Sequence, residues 1–228
     1  PTAVLSDQYR PLSHFFRQNF SQVTNPPIDS LRENEVMSLK TRFGNLGNIL
    51  DFENLTKDNI YVLESPILSN SQYEKFSVFF KNKLKVLDCT FDIKNNLKKK
   101  LDQLCFEAEI AVREGYKHLI LSDKKISEKK APIPMILAFG AINSKLINLG
   151  IRGFVSINVQ TAEALDTHSF AVLLGVGATT INPYLVFDSI YQRYEKKLFG
   201  KLSYEECIQR YIKSVDNGLL KIMSKMGI

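Results

Sequence analysis

The hydrophobic positions divide the chain into an irregular first third and a regular remainder. From Lys85 onward, short apolar runs alternate with longer stretches in which apolar residues recur every three or four positions. The runs at 85–92, 118–123, 153–160 and 178–184 predict buried strands. A helix is predicted after each strand. The first carries an apolar stripe formed by Leu97, Leu101, Leu104, Cys105, Ala108 and Val112. The others are predicted from about Pro132 or Pro134 to Gly150, over 161–177 with Thr161 as N-cap, and over 184–199. A last helix opens with the capping box formed by Ser203 and Glu206.

Strand–helix alternation at this spacing predicts a parallel sheet with right-handed crossovers. The four strand–helix units amount to about half of an eight-unit (β/α) barrel. The predicted fold class is therefore α/β, with βα repeats whose parallel sheet resembles a partial or degenerate (β/α) barrel. The pattern leaves open whether the sheet closes. We expect an irregular helical segment over 1–70 and the βα-repeat region over 71–228.

The first third predicts short helices separated by a stiff corner. Apolar spacing indicates a helix from about Pro11 to Asn19. Pro26 and Pro27 then remove two backbone donors and push the preceding residue out of helical geometry. A second helix is predicted from about Leu31 to Arg42, with Gly44 marking its exit.

Charge and cysteine content narrow the possible functions. The formal net charge is +6 and the pI is about 9.1, which permits a basic nucleic-acid-binding module. Most of the excess lies in short lysine clusters (98–100, 124–125, 129–130 and 196–197), and solvated surface is the simpler interpretation of these, because specific nucleic-acid-binding proteins usually interleave arginine or aromatic residues. The three cysteines form no CxxC pair, which argues against a disulfide framework, a zinc knuckle or an iron–sulfur site and fits a reducing compartment. The longest nearly apolar run, Phe170 to Ile181, is too short to span a bilayer.

Candidate catalytic residues lie where strands end. Asp88, Asp92 and Asp123 occupy the positions at which barrel enzymes place catalytic groups, so a stand-alone barrel-like enzyme is one interpretation. The alternative is that the three aspartates cap helices and hydrogen-bond loops. His168 has Asp166 and Glu163 nearby, but a packed or surface histidine is the simpler interpretation.

The run Gly175–Thr180 superficially resembles a phosphate loop. In a dinucleotide fingerprint the glycines come after a strand and before a helix. Here they come after a predicted helix and before a predicted strand, which favours a helix C-cap.

Several long stretches together resemble the central domain of the large subunit of glutamate synthase. They include LSDQYRPLSHFFRQNFSQVTNPPIDSLRENEVMSLKTRFGNLGNIL, LILSDKKISEKKAPIPMILAFGAINSKLINLGIR and HSFAVLLGVGATTINPYLVFDSI. The resemblance covers residues 1–228 almost end to end, as a fragment of the larger enzyme. It implies a non-catalytic domain that connects a glutamine amidotransferase domain to an FMN synthase domain. The family makes glutamate from glutamine and 2-oxoglutarate and so assimilates ammonia.

The resemblance also implies what this chain lacks and where it works. FMN and an iron–sulfur cluster are expected in the full enzyme, but no segment here matches their sites, and no cysteine matches the glutamine-attacking one. We therefore expect this chain alone to be inactive and to bind no cofactor or metal. The implied partners are the two catalytic domains of the same polypeptide, with ferredoxin or an NADPH-oxidising small subunit, and neither nucleic acid nor membrane. The implied location is the cytoplasm, or the plastid stroma if the protein is plastid-encoded.

The same resemblance assigns a role to the stiff corner. It implies that Thr24, Asn25 and Pro26 line the internal tunnel that carries ammonia between the two active sites. The chemistry is compatible, because a hydroxyl and an amide can hydrogen-bond ammonia whereas a carboxylic acid would trap it as ammonium. The alternative is that Thr24 and Asn25 only fix the backbone of the corner.

Overall fold

The computed structural model describes residues 10–17, 32–44, 50 and 60–226. The strands in this part of the chain are β1 (Thr41–Phe43), β2 (Tyr61–Leu63), β3 (Leu84–Asp88), β4 (Thr90–Asp92), β5 (His118–Ser122), β6 (Lys130–Pro132), β7 (Ser156–Gln160) and β8 (Ile181–Asn182). The α-helices are α1 (Glu33–Val36), α2 (Asn70–Phe79), α3 (Leu97–Arg113), α4 (Met135–Asn148), α5 (Thr167–Gly175), α6 (Tyr184–Glu195) and α7 (Tyr204–Met226). Short 3-10 helices occupy Leu12–Phe15, Lys81–Lys83 and Arg152–Phe154.

A parallel sheet of order β3-β5-β7-β8 lies at the centre of the described residues. Its register sets Asp88 opposite Ser122, Ser122 opposite Gln160, and Gln160 opposite Asn182. Ile67 adds a parallel bridge to Ile181 beyond β8. The sheet does not close on itself within this part of the chain, so the predicted α/β fold with a partial barrel is confirmed. The predicted boundary between residues 70 and 71 stays a prediction.

The two faces of this sheet pack against different hydrophobic clusters. Leu87, Leu121 and Val159 point to one face and join the main core, which α3, α4, α5 and α7 complete. The alternate positions point to the other face, where a smaller aromatic cluster contains Phe43, Leu63, Leu68, Phe76, Phe80 and Ile120. Both faces are therefore covered, as in other parallel sheets.

The C-terminal helix α7 ties the early part of the chain to the late part. Lys221 forms an ion pair with the buried Glu33 at 3.0 Å. The Ser65 hydroxyl donates to Asp216 at 2.7 Å, and burial raises the pKa of Asp216. Gly218 lies against Thr167 at the start of α5. Ser203 and Glu206 form the predicted capping box before α7.

The helix predicted over Leu31–Arg42 is wrong. The α-helix spans only Glu33–Val36, and Thr41–Phe43 is a strand paired antiparallel with β2. Packing decides the conformation, because Phe43 is buried against Phe76, with ring centroids 5.0 Å apart. The helix predicted near residue 11 is reduced, among residues 10–17, to the 3-10 turn at Leu12–Phe15.

Other boundaries also differ from prediction. The run 85–92 is two strands, because the chain leaves the parallel sheet at Cys89 and β4 pairs with β6. The helix predicted over 161–177 is α5, which begins at Thr167 rather than near Thr161. Asp166 is its N-cap and accepts from the Ser169 amide. The sequence reasoning did not predict β1, β2, α2 or β6. None of the described helices is both long and apolar enough to cross a membrane.

Candidate functional site

Asp88 lies at the carboxyl end of β3, where it organises the turn into β4. Its Oδ1 accepts from the Thr90 amide at 3.0 Å and from the Thr90 hydroxyl at 2.7 Å. Lys125 Nζ lies 3.6 Å from the other carboxylate oxygen. Partial burial opposes ionisation, but the bonds from Thr90 and the charges of Lys125 and Lys130 outweigh it, so the pKa of Asp88 is lowered.

Asp123 lies at the end of the neighbouring strand and has no solvent exposure. Its carboxylate accepts from the Thr161 hydroxyl at 2.6 Å and from the Ala162 amide at 3.1 Å, and the neighbouring Tyr184 hydroxyl also favours its charged form. Burial raises the pKa of Asp123 although these bonds favour the charged form. Asp123 therefore ties together the loops that follow β5, β7 and β8.

The structure separates Asp92 from the other two predicted catalytic residues. Asp92 ends β4, which is outside the parallel sheet, and its carboxylate accepts from the Lys94 amide at 2.8 Å. Asp88 and Asp123 do end adjacent strands. The contacts of all three aspartates are those of turn and loop organisation, which was the alternative interpretation.

Two further ionisable groups, Glu163 and Cys89, interact with Asp123. Glu163 accepts from the Met135 amide at 2.9 Å and so satisfies a free donor at the start of α4. Burial raises the pKa of Glu163, and the charge of Asp123 adds to the shift. Burial also raises the pKa of the Cys89 thiol to about 12, with Asp123 and Asp88 contributing. Cys89 is therefore not a nucleophile in this setting.

A chain of buried hydrogen bonds crosses the polar face of the sheet near the same edge. The Ser122 hydroxyl donates to Gln160 at 2.7 Å, and the Gln160 amide donates to Asn182 at 3.1 Å. Asn182 then donates to the Leu68 carbonyl at 2.9 Å and to Asn70 at 3.0 Å. All of these groups are neutral, so the network can orient and stiffen the edge without acting as an acid or base.

A second network lies one step towards the amino ends of the strands. The Thr180 hydroxyl donates to Asn158 at 2.7 Å, and Asn158 donates to the Ser156 hydroxyl oxygen at 3.1 Å. That oxygen lies 2.8 Å from His118 Nδ1. The alternation of polar residues at 156, 158 and 160 within a buried strand was the sequence feature that could have predicted both networks.

The described histidines lie in structural contacts. His118 packs against Phe80, with ring centroids 4.0 Å apart. Burial lowers the pKa of His118 to about 4, and the charge of Lys83 contributes, so its imidazole is neutral near pH 7. His168 Nε2 lies 2.9 Å from the Ser13 carbonyl oxygen and can donate to it. Among the described residues, His168 forms no hydrogen bond with Asp166 or Glu163, and each of these carboxylates accepts from a helix amide instead.

The described residues do not bring together the ligands of an iron–sulfur cluster. An iron–sulfur cluster takes four thiolates as a rule, whereas the cysteines lie apart at Cys89, in α3 and in α7. No group of three or more His, Cys, Asp or Glu side chains suited to a metal occurs in the described ranges.

At the end of α5, the amides of Gly177 and Ala178 donate hydrogen bonds to the carbonyls of Leu174 and Leu173, respectively. The predicted helix C-cap is therefore confirmed, and these amides are not available to a phosphate.

The predicted tunnel residues Thr24, Asn25 and Pro26 lie outside the described residues. The chain on each side of them is attached to the helical layer. On the N-terminal side, Ser13 contacts His168 of α5. On the C-terminal side, Glu33 pairs with Lys221 of α7.

The fold and these contacts define a partial-barrel α/β domain whose strand-end carboxylates organise loops. The profile of the glutamate synthase central domain matches residues 1–228. The chain is 52% identical to the glutamate synthase (NADPH) large chain of Azospirillum brasilense and 41% identical to that of Bacillus subtilis. It is 42% identical to a protein of Oryza sativa subsp. japonica, the chloroplastic ferredoxin-dependent glutamate synthase. Each match covers 100% of this chain and 15% of the relative. The chain therefore belongs to the glutamate synthase central domain family.

Proposed function

We propose that this domain is the non-catalytic connector of a glutamate synthase and helps to form the passage for ammonia between two active sites. In this proposal it joins a glutamine amidotransferase domain to an FMN synthase domain in one polypeptide. Glutamine is hydrolysed in the first, and 2-oxoglutarate is aminated and reduced to glutamate in the second. The observation that carries the proposal is the family match across the full 228 residues, at 15% of the length of the relatives.

The contacts of the strand-end carboxylates support a connector rather than a stand-alone enzyme. Asp123 is completely buried and accepts from Thr161 and Ala162. A substrate could reach it only by displacing those donors, which would leave buried polar groups unpaired. Asp88 and Asp92 are likewise engaged with neighbouring turns.

Anchoring on both sides of the predicted corner supports the assignment of Thr24, Asn25 and Pro26 to the tunnel wall. A wall that guides a small neutral molecule must keep its shape while the molecule passes. The contact of Ser13 holds the chain 11 residues before Thr24, and the ion pair of Glu33 holds it 7 residues after Pro26. Proline at 26 and 27 adds backbone stiffness.

The redox parts of the proposed enzyme lie in other domains. FMN and the iron–sulfur cluster supply the reduction of the imine in the synthase domain, and this chain contributes no ligand to either. The electron donor is ferredoxin or an NADPH-oxidising small subunit, since relatives of both the NADPH and the ferredoxin-dependent kind match at similar coverage. Bacterial cytoplasm or plastid stroma would suit such an enzyme.

The test is Thr24→Phe in the full-length enzyme. We expect glutamine hydrolysis to continue while 2-oxoglutarate consumption falls below it, because the bulky ring blocks the passage and ammonia escapes. The measurement is the ratio of 2-oxoglutarate consumed to glutamine hydrolysed. Equal consumption of the two substrates in the variant would show that Thr24 does not line the passage.

Two controls separate a blocked passage from general damage. Thr24→Ser keeps the hydroxyl without adding bulk, so the two reactions should stay coupled. Ammonium added to Thr24→Phe should restore 2-oxoglutarate amination, since it reaches the synthase site from solvent. Failure of added ammonium would mean that the synthase site itself was damaged and would count against the tunnel assignment.

A further inference from the structure

An open cleft of about 840 Å³ lies at the amino ends of β3, β5 and β7, on the opposite edge of the sheet from the aspartates. Its lining includes Phe79, Phe154, Lys81, Lys83, Lys117 and His118. The described residues that line the cleft do not include Thr24, Asn25 or Pro26, on which the proposed ammonia passage depends.

Three lysines concentrate positive charge in this cleft. The Lys117 amide donates to the Lys83 carbonyl at 2.8 Å, which brings the two residues together although 34 positions separate them. The side chains of Lys81, Lys83 and Lys117 are exposed. In the described part of the chain, none of the three makes an ion pair with a carboxylate. Like charges on neighbouring side chains repel one another, and an anion nearby lowers this repulsion.

Large apolar side chains flank these lysines. Phe79 is 53% exposed, Phe154 is 63% exposed, and Val78 beside them is 74% exposed. Both aromatic residues are held by short helices, since Phe79 ends α2 and Phe154 ends the 3-10 turn at Arg152–Phe154. Exposed aromatic side chains are enriched at protein–protein interfaces, and charges around them orient the partner.

We propose that this cleft is a docking site for an acidic stretch of polypeptide that carries a bulky apolar side chain. The occupant comes from the same full-length polypeptide, outside residues 1–228, and the relatives leave ample chain for it because this domain spans 15% of their length. The carboxylates of the stretch face the lysines, and its apolar side chain covers the two phenylalanines. A small free anion would satisfy the lysines but leave both aromatic rings in water. Apolar contact supplies most of the affinity, and charge supplies the orientation.

The test is lysine acylation in the full-length protein, read by mass spectrometry. Each lysine is compared with itself in the denatured chain. We expect Lys81, Lys83 and Lys117 to react at least about tenfold more slowly in the folded protein, because the docked stretch leaves the cleft open for less than about a tenth of the time. Carbodiimide, which joins a lysine directly to a paired carboxylate, should link them to Asp or Glu outside these 228 residues.

A matched pair of variants checks the apolar half of the proposal. Phe79→Ser combined with Phe154→Ser should return the three lysines to nearly their denatured-state reactivity. Phe106→Ser removes a phenylalanine of similar exposure, 60%, from α3 and should change nothing in the cleft. Unprotected lysines in the folded wild type, or carbodiimide links confined to residues 1–228, would overturn the proposal. These results are independent of the coupling ratio that tests the ammonia passage.

Discussion

Replacing Gly218 by alanine tests the packing of α7 on α5. A Cβ built on Gly218 lies 2.6 Å from Thr167 Cγ2 and 2.8 Å from Thr167 Oγ1. Carbon atoms in good contact lie about 3.5–4.0 Å apart, so the overlap is about 1 Å. Thr167 Cβ also lies 3.2 Å from the built Cβ, and rotation of the threonine side chain cannot remove that contact.

The expected cost follows from two opposing terms. Overpacking a fitted contact costs about 1–3 kcal/mol, and an overlap this large belongs in the upper half of that range. Alanine is about 1 kcal/mol better than glycine inside a helix. The net prediction is that Gly218→Ala lowers the opening free energy of α5 and α7 by about 1–2 kcal/mol, the difference of these terms.

The assay is native-state hydrogen exchange in the full-length protein, which gives opening free energies for individual helices. Gly140→Ala is the matched control, because a Cβ at Gly140 in α4 meets nothing within 4 Å. That variant should stabilise α4 by up to about 1 kcal/mol. Thr167→Ala should relieve most of the Gly218→Ala cost. The reasoning is refuted if Gly218→Ala stabilises α7, or if the costs of Gly218→Ala and Thr167→Ala simply add.

Three further predictions follow from buried polar groups. Between the ordinary histidine pKa of about 6.5 and the value of about 4 for His118, the unfolded chain binds a proton that the folded chain does not. Lowering the pH through this range should therefore cost roughly 2–3 kcal/mol of stability. Opening free energies measured across this pH range should depend less on pH in His118→Gln than in the wild type. Asp123→Ala should cost about 2–3 kcal/mol by leaving the Thr161 hydroxyl and a loop amide unpaired; a loss below about 0.5 kcal/mol would contradict the role given to this carboxylate. Iodoacetamide should label the half-buried Cys105 in the folded protein and Cys89 only after unfolding, and equal labelling rates would contradict the environment described for Cys89.

Local features of the sequence were sufficient to locate several helices of the βα region. The apolar stripe of α3 and the capping box before α7 depend on residues three or four apart, so periodicity alone located these helices. The turn after α5 was identified as a C-cap because the order of helix, glycine and strand is itself local. The family resemblance rested on long matching stretches, and the profile match over 1–228 agrees with it.

Sequence alone determined that this protein has alternating strands and helices, a buried parallel sheet and membership of a known family. Tertiary structure decided what individual residues do within that frame. Thr41–Phe43 became a strand because Phe43 fits an aromatic cluster built from distant residues. Asp123 connects two loops because the register of the sheet places the Thr161 hydroxyl within hydrogen-bond distance of its carboxylate. Lys83 and Lys117 lie side by side because β3 and β5 are neighbouring strands. Propensity and period act over a few residues, whereas burial and charge act between whichever residues the fold brings together.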